Sequence, residues 1–146
     1  HTILTPAEKE RLLIPRGTLS SDERREIESH VTYTFHFLSQ IAWTDELSGI
    51  PEIAHCHHEK LDGTGYPRKL RSDQIPIQSR MMTICDIYDA LTAMDRAYKK
   101  SVSNERALDI LNLEVKEGKL NKNLVDLFIE SGVYKIVQNY KKKAAA

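Results

Sequence analysis

Residues 55–67 read H-C-H-H-E-K-L-D-G-T-G-Y-P and combine metal-binding side chains with a glycine-rich turn. The stretch opens with three histidines and a cysteine in a row, and carboxylates follow at Glu59 and Asp62. Histidine is the commonest metal ligand, and carboxylates often accompany it at hydrolytic sites. Gly63 and Gly65 permit a sharp turn and a close approach to a ligand. A helix that ends in metal ligands and continues into a tight loop is typical of one wall of an active site.

The composition predicts an ordinary globular domain. The chain has 146 residues, of which 40% are hydrophobic and 29% charged, and its 21 basic and 21 acidic residues balance to zero formal charge. This length predicts one domain. The charge balance argues against a DNA-binding protein, and no apolar run of about 18 residues predicts a membrane span. We interpret Cys56 and Cys85 as small buried thiols in a cytoplasmic protein, because they show no disulfide pattern.

Capping signals predict two helices before this stretch. Thr5 to Glu8 and Ser20 to Glu23 each read as a capping box. The first helix should end near Pro15. The second should bury one stripe, with His30 beside it and His36 on another face. The residues of that stripe are Ile27, Val31, Thr34 or Phe35, and Leu38.

Two prolines predict the starts of the next helices. Pro51 should open a helix that carries His57 and His58 and ends before the glycines. Pro76 should open the longest helix, which runs to about Ala93. Its apolar residues step by three and four, which predicts a core stripe. The members of the stripe are Ile77, Met81, Ile84, Tyr88 and Leu91.

Helical periodicity continues to the end of the chain, so the predicted fold is all-α. One helix should span about Asn104 to Val115 and stop at Gly118, and another should span about Lys122 to Glu130. Residues 132–137 fit either a short strand or a further helical turn. The apolar faces of the two helices are Ala107, Leu108, Leu111 and Val115, and Leu124, Leu127 and Phe128.

Four candidate metal ligands, His30, His57, His58 and Asp86, fall on three of the predicted helices. Adjacent residues on a helix point about 100° apart, so His57 and His58 suit two neighbouring ions better than one. A bridging carboxylate such as Asp86 fits a site with two metals about 3.5–4 Å apart. Nitrogen and oxygen donors together favour iron, manganese or zinc. From the residues alone, a scatter of unrelated polar side chains is an equally open interpretation.

Cations follow the predicted end of the longest helix, at Arg96, Lys99 and Lys100. Positive charge there complements the helix C-terminus, and this is the simpler interpretation. The alternative is a phosphate clamp, because arginine binds phosphate through a planar fork and lysine as a point charge.

Three motifs together resemble the HD-GYP family. H-H-E-K-L-D-G-T-G-Y-P at 57–67 is similar to the family signature, as is D-I-Y-D-A-L-T-A-M-D-R-A-Y-K-K at 86–100. P-R-G-T-L-S-S-D-E-R-R-E-I-E-S-H at 15–30 resembles the stretch that leads to a metal histidine of the family. The resemblance implies an all-α helical bundle of the HD superfamily. We expect residues 1–140 to be the C-terminal part of one HD-GYP-type domain that lacks its N-terminal helices, and 141–146 to be an unstructured or cloning-derived tail.

The resemblance also implies an activity. HD-GYP proteins are metal-dependent phosphodiesterases that hydrolyse cyclic di-GMP to pGpG or GMP through a metal-activated hydroxide. The expected cofactors are two or three divalent ions, iron or manganese with zinc as the alternative. Carried over by position, His30, His57, His58 and Asp86 resemble the metal ligands. The residues expected at the substrate are Arg96, Lys99, Asp62, Gly65, Tyr66 and Pro67.

The family takes part of its name from a His-Asp dyad, and no His-Asp pair occurs in this sequence. For the enzyme hypothesis, the dyad would come from outside this chain. The alternative is a catalytically degenerate module that binds cyclic di-GMP or a diguanylate cyclase (GGDEF) domain through the glycine-tyrosine-proline loop. A homodimer is also among the expected assemblies. A structural zinc scaffold fits the adjacent histidines poorly, because such sites usually close with four ligands.

Overall fold

The computed structural model describes residues 5, 8–9, 19–93 and 101–136. Within these ranges the chain forms helices and turns without a strand, which confirms the all-α prediction. The single β-bridge in the described ranges joins Asp62 and Arg71. Short 3-10 helices span Asp45–Leu47 and Ser72–Gln74. The α-helices are α1 Ser21–Glu28, α2 His30–Leu38, α3 Ile50–His55, α4 Ile77–Thr92, α5 Asn104–Lys116 and α6 Lys122–Glu130.

Both predicted capping boxes are present. The Thr5 amide and hydroxyl donate to the Glu8 carboxylate at 2.7 Å, and the Glu8 amide donates back at 3.3 Å. Ser20 and Glu23 exchange the equivalent bonds at 2.8 and 3.2 Å. The predicted helix end near Pro15 lies outside the described residues. The helix expected after Ser20 is divided at Ser29 into α1 and α2.

The main core lies between the C-terminal half of α4 and the helices α5 and α6. Tyr88 of α4 meets Phe128 of α6 edge-to-face, with ring centroids 5.3 Å apart. The predicted bounds of α5 and α6 and the apolar face of α5 are confirmed. Leu127 is exposed, contrary to prediction, because α6 turns Val125 and Phe128 inward. The buried cluster consists of Ile84, Tyr88, Ala107, Leu111, Leu120, Val125 and Phe128.

Two predicted stripes are only partly buried. On α4, Ile84 and Tyr88 are buried, but Ile77 is 55% exposed and Met81 is also exposed. The core residues that pack against α5 and α6 all lie in the second half of α4, which explains the difference. Along α1 and α2, Val31 is buried whereas Ile27 is 53% exposed.

The described part of the chain ends in a helical turn. Residues 134–136 are helical, which resolves the strand-or-helix alternative in favour of helix. Gly118, with φ of 75°, follows the end of α5 as expected. Among the described helices, none combines the length and apolar character that a membrane crossing requires.

Candidate metal centre

Three imidazoles converge at one end of the helices. His30 is the first residue of α2, and His57 and His58 follow the end of α3. Each offers one ligand atom, and these atoms all lie within 4.8 Å of one another. The ring centroid of His58 lies 4.0 Å from that of His57 and 5.2 Å from that of His30. This spacing allows a single metal ion to contact all three rings.

The two adjacent histidines are not on a helix, which corrects the prediction. Helix α3 ends at His55, and Cys56 leaves helical geometry with φ of −104° and ψ of 2°. The 100° divergence of neighbouring helical side chains therefore does not apply to His57 and His58. The turn brings both rings to the same side, and two helices and one turn supply the four candidate ligands.

Backbone carbonyls orient two of the rings. The Nδ1 atoms of His30 and His57 lie 2.6 Å from the carbonyl oxygens of Ile27 and Ala54, respectively. A carbonyl oxygen can only accept, so each Nδ1 carries a proton, and in the neutral imidazole the lone pair is then on Nε2. Such contacts fix the tautomer in which a histidine binds a metal through Nε2.

Burial and the neighbouring rings keep His58 uncharged near neutral pH. Burial is the largest cause and His57 the next, and together they lower the pKa of His58 to about 4. Asp86 opposes this shift, with its Oδ2 atom 3.8 Å from His58 Nδ1. Asp86 lies on an exposed face of α4, with 47% of its side chain accessible, so it stands at the edge of the three-histidine group.

A loop folds back over residues 56–58, which we call the histidine turn. We call residues 56–70 the histidine loop. At Gly65, an added Cβ would lie 2.4 Å from the Lys60 amide nitrogen and 2.6 Å from the His58 carbonyl oxygen. Backbone atoms cannot yield as a flexible side chain does, so this close approach requires glycine. The Tyr66 amide donates to the same His58 carbonyl at 3.2 Å.

Glu59 anchors this loop, a role that sequence reasoning missed. Its buried carboxylate accepts hydrogen bonds from the Arg68 amide at 2.7 Å and the Leu70 amide at 2.9 Å. Burying a carboxylate is costly unless it is hydrogen-bonded, and here both oxygens are used. The acidic residue after the histidine pair was visible in the sequence, but its backbone partners, nine and eleven residues away, were not.

Thr83 anchors the histidine turn from α4, and it was also missed. Its buried hydroxyl oxygen lies 2.7 Å from the His57 carbonyl and 2.8 Å from the Ser79 carbonyl. The Ser79 hydroxyl donates to the Ile53 carbonyl at 2.9 Å. These contacts join α4 to α3 and to the turn, and so bring Asp86 and the histidines into one neighbourhood.

The other predicted substrate residues have different surroundings. Tyr66 stacks on His58, and burial together with the Glu28 and Asp86 carboxylates raises its pKa to about 12. The Asp62 carboxylate accepts from the Thr64 amide and hydroxyl at 2.9 and 2.7 Å, so it shapes the loop. The Tyr66–Pro67 peptide bond is cis. The remaining two, Arg96 and Lys99, lie outside the described residues.

The cysteines and the third histidine of the stretch lie apart from this group. Cys56 is buried as predicted, and burial raises its pKa to about 11, whereas Cys85 is exposed because it lies on the outer face of α4. His55 is buried and stacks on Phe35 with centroids 4.4 Å apart. Neither ring nitrogen of His55 has a hydrogen-bond partner among the described residues. His36 is exposed, as expected.

The sequence of this chain is similar to those of known proteins. The family model of the HD domain matches residues 2–124. A probable cyclic di-GMP phosphodiesterase of Vibrio cholerae is 32% identical over 149 aligned positions, covering 94% of this chain and 32% of that protein. A 3'3'-cGAMP-specific phosphodiesterase 3 of the same organism is 38% identical over 95 residues, covering 65% of this chain and 20% of that protein.

A protein from a second organism gives a similar match. A cyclic di-GMP phosphodiesterase of Thermotoga maritima is 34% identical over 122 residues, covering 83% of this chain and 32% of that protein. The chain thus spans between a fifth and a third of the length of these three relatives.

Proposed function

Because the chain belongs to the HD domain family, we propose that it acts in a metal-dependent phosphodiesterase that hydrolyses cyclic di-GMP to pGpG or GMP. The observation that carries the proposal is the convergence of three imidazoles whose ligand atoms lie within 4.8 Å of one another. The names of these relatives support a cyclic dinucleotide as substrate. They include 3'3'-cGAMP as well as cyclic di-GMP, so 3'3'-cGAMP is the competing substrate to test.

The proposed metal ligands are His30, His57, His58 and Asp86. The donor chemistry fits, because His30 and His57 direct their protons to carbonyls and leave Nε2 free, and His58 is uncharged near neutral pH. Imidazole and carboxylate donors together suit iron or manganese, with zinc as the alternative. We propose that these residues, together with the dyad expected from outside this chain, bind two or three divalent ions. When bound, such ions supply Lewis acidity to phosphate oxygens and generate a nucleophile from water near neutral pH.

The surrounding residues would bind and orient the dinucleotide. The Gly65–Pro67 segment lies beside the histidines, because the Tyr66 amide bonds to the His58 carbonyl and the Tyr66 ring covers the His58 ring. We propose that it forms one wall of the substrate site and a surface for diguanylate cyclase domains. Arg96 and Lys99 are proposed to hold phosphate oxygens through charge-assisted hydrogen bonds. Asp62 contributes by shaping the loop through Thr64.

The second candidate is a module that binds cyclic di-GMP without cleaving it. It is favoured by the absence of a His-Asp pair from the sequence. Metal content separates the two functions, because the resemblance to the HD-GYP family implies two or three ions for the phosphodiesterase, and two-metal sites stabilise both the attacking and the leaving oxygen. Two or more ions per chain support the enzyme, and one or none supports the module.

The direct test uses purified protein that includes the His-Asp dyad expected from outside this chain. The protein is loaded with Mn²⁺ or Fe²⁺ and incubated with cyclic di-GMP and, separately, with 3'3'-cGAMP. Products are resolved by chromatography, and binding is measured in parallel by equilibrium dialysis. We expect cyclic di-GMP to be cleaved, and the His57→Ala, Asp86→Ala double variant to be inactive. His36→Ala is the matched control, because His36 is exposed and lies outside the cluster. Unchanged cleavage by the double variant would refute the proposal, and binding without cleavage would favour the module.

A further inference from the structure

The three imidazoles are not held in the same way. His30 and His57 each direct Nδ1 at a backbone carbonyl 2.6 Å away. In the part of the chain that the structure describes, the His58 ring makes no hydrogen bond, and its ion-pair neighbour Asp86 lies 3.8 Å away. A side chain without such a bond retains more rotational freedom, so another contact is needed to hold His58 toward the other two.

The Tyr66 ring supplies that contact. It stacks on the His58 imidazole with centroids 4.8 Å apart and planes inclined by 29°. This separation lies within the range of favourable aromatic pairs. Stacking fixes the plane of the imidazole, which in turn fixes where its nitrogens point.

Tyr66 is itself firmly placed. Its amide donates to the His58 carbonyl at 3.2 Å, so ring and backbone contact the same residue. Gly65 lets the two backbones approach this closely. On the far side, Glu59 fastens the loop through the Arg68 and Leu70 amides. The tyrosine therefore transmits the position of an anchored loop to one imidazole.

We propose that Tyr66 is a positioning residue, whose aromatic ring holds His58 in the orientation that completes the three-imidazole site. The proposal rests on the metal-binding part of the proposed function, but it concerns ligand geometry and is independent of the substrate. It assigns the effect to the ring, and the phenol hydroxyl is not required. Removing a group that orients a metal ligand costs roughly 10–100-fold in metal affinity.

The test is titration of metal-free protein with Co²⁺, followed by visible absorption. We expect Tyr66→Leu to weaken Co²⁺ binding about tenfold or more, while Tyr66→Phe stays within about twofold of the unsubstituted protein because it keeps the ring. Tyr33→Leu is the matched control, since Tyr33 is an exposed tyrosine on α2. Equal affinity in Tyr66→Leu and the unsubstituted protein would overturn the proposal, as would equal losses in the Phe and Leu variants.

A double-mutant cycle separates positioning from general damage. In a His58→Ala background, Tyr66→Leu should cause no further loss of Co²⁺ affinity, because the imidazole on which it acts is gone. A further loss equal to that in the unsubstituted background would contradict the proposal.

A third experiment requires neither a metal ion nor a variant that folds. In NMR spectra of the metal-free protein, the His58 ring protons should be shifted upfield by the stacked Tyr66 ring. Ring protons at ordinary positions would overturn the proposal whatever the titration shows. If the His58 ring protons are shifted upfield but the unsubstituted protein binds no Co²⁺, the proposed function fails. The Tyr66 ring then contacts an imidazole that is not a metal ligand.

Discussion

Apolar contacts hold the core between α4, α5 and α6, whereas backbone hydrogen bonds to buried polar side chains hold the histidine loop. Leu111 and Val125 are fully buried among other hydrophobic residues. In the loop, Glu59 accepts from two amides, and Thr83 of α4 fastens the His57 carbonyl. Burial energy depends on area and tolerates small shifts, while hydrogen bonds depend on geometry. The site is thus held by the kind of contact that fixes orientation.

The largest expected effect on stability is in the core. Leu111→Ala should lower the free energy of unfolding by about 3 kcal/mol, because it removes buried methyl groups and leaves a cavity. Leu113→Ala is the matched control on the same helix, since Leu113 is 53% exposed. It should change the free energy by less than about 0.5 kcal/mol. Urea denaturation measures both, and equal losses would contradict the assignment of the core.

In the loop, Glu59→Gln should lower the free energy of unfolding by about 2 kcal/mol, because a buried amide group replaces a charged acceptor of two backbone hydrogen bonds. Hydrogen exchange distinguishes the two regions, because the Arg68 and Leu70 amides should exchange faster, while exchange of the Leu111 amide in α5 should change less. Glu130→Gln, at an exposed position, is the control. Uniform acceleration across both regions would show that the loop and the core unfold as one unit.

Acid should lower the stability of the metal-free protein by protonating His55, which is buried, and His58, which is partly buried. Burial lowers the pKa of His55 and, together with His57, lowers that of His58 to about 4, against an ordinary value of 6.5. Between pH 6.5 and 4 the unfolded chain therefore binds more protons than the folded one, so stability falls as pH falls. From pH 7 to 5 we expect a loss on the order of 1 kcal/mol from His58. Thermal unfolding of His58→Gln should depend less on pH, and an unchanged dependence would argue against this cause.

The smallest expected effect concerns the link between the two regions. Lys60 of the loop pairs with Glu114 of α5 at 3.0 Å, and both side chains are partly accessible. Partly exposed ion pairs contribute little to stability, so Lys60→Met should lower the free energy of unfolding by about 0.5 kcal/mol. The loss should shrink further at 1 M salt, where charges are screened. A loss above that of Glu59→Gln would mean that this link, and not the buried carboxylate, holds the loop.

The same contrast explains what could be read from the sequence. The bounds of α5 follow from local signals, namely apolar residues at steps of three and four and Gly118 after the last turn. The all-α fold and the capping boxes are equally local. Burial along α4 was predicted too widely, because periodicity identifies a helix face but not how much of it a neighbour covers. Ile77 and Met81 lie beyond the reach of α5 and α6 and stay exposed.

The sequence indicated candidate ligands, but it did not indicate their geometry. The residue types at His57 and His58 indicated metal binding, yet their place in a turn depends on where α3 ends. The roles of Glu59 and Thr83 depend on partners up to 26 residues away. Such contacts leave no periodic trace in a single sequence, so only coordinates could reveal them.

We propose that His30, His57 and His58 bind a metal ion together. The metal content of purified protein after dialysis against excess Mn²⁺ tests this proposal. It is measured by mass spectrometry for the unsubstituted chain and for a triple variant that combines His30→Ala, His57→Ala and His58→Ala. We expect at least one bound ion per chain, retained in the His36→Ala control and lost in the triple variant. Equal metal content with and without the three imidazoles would contradict it.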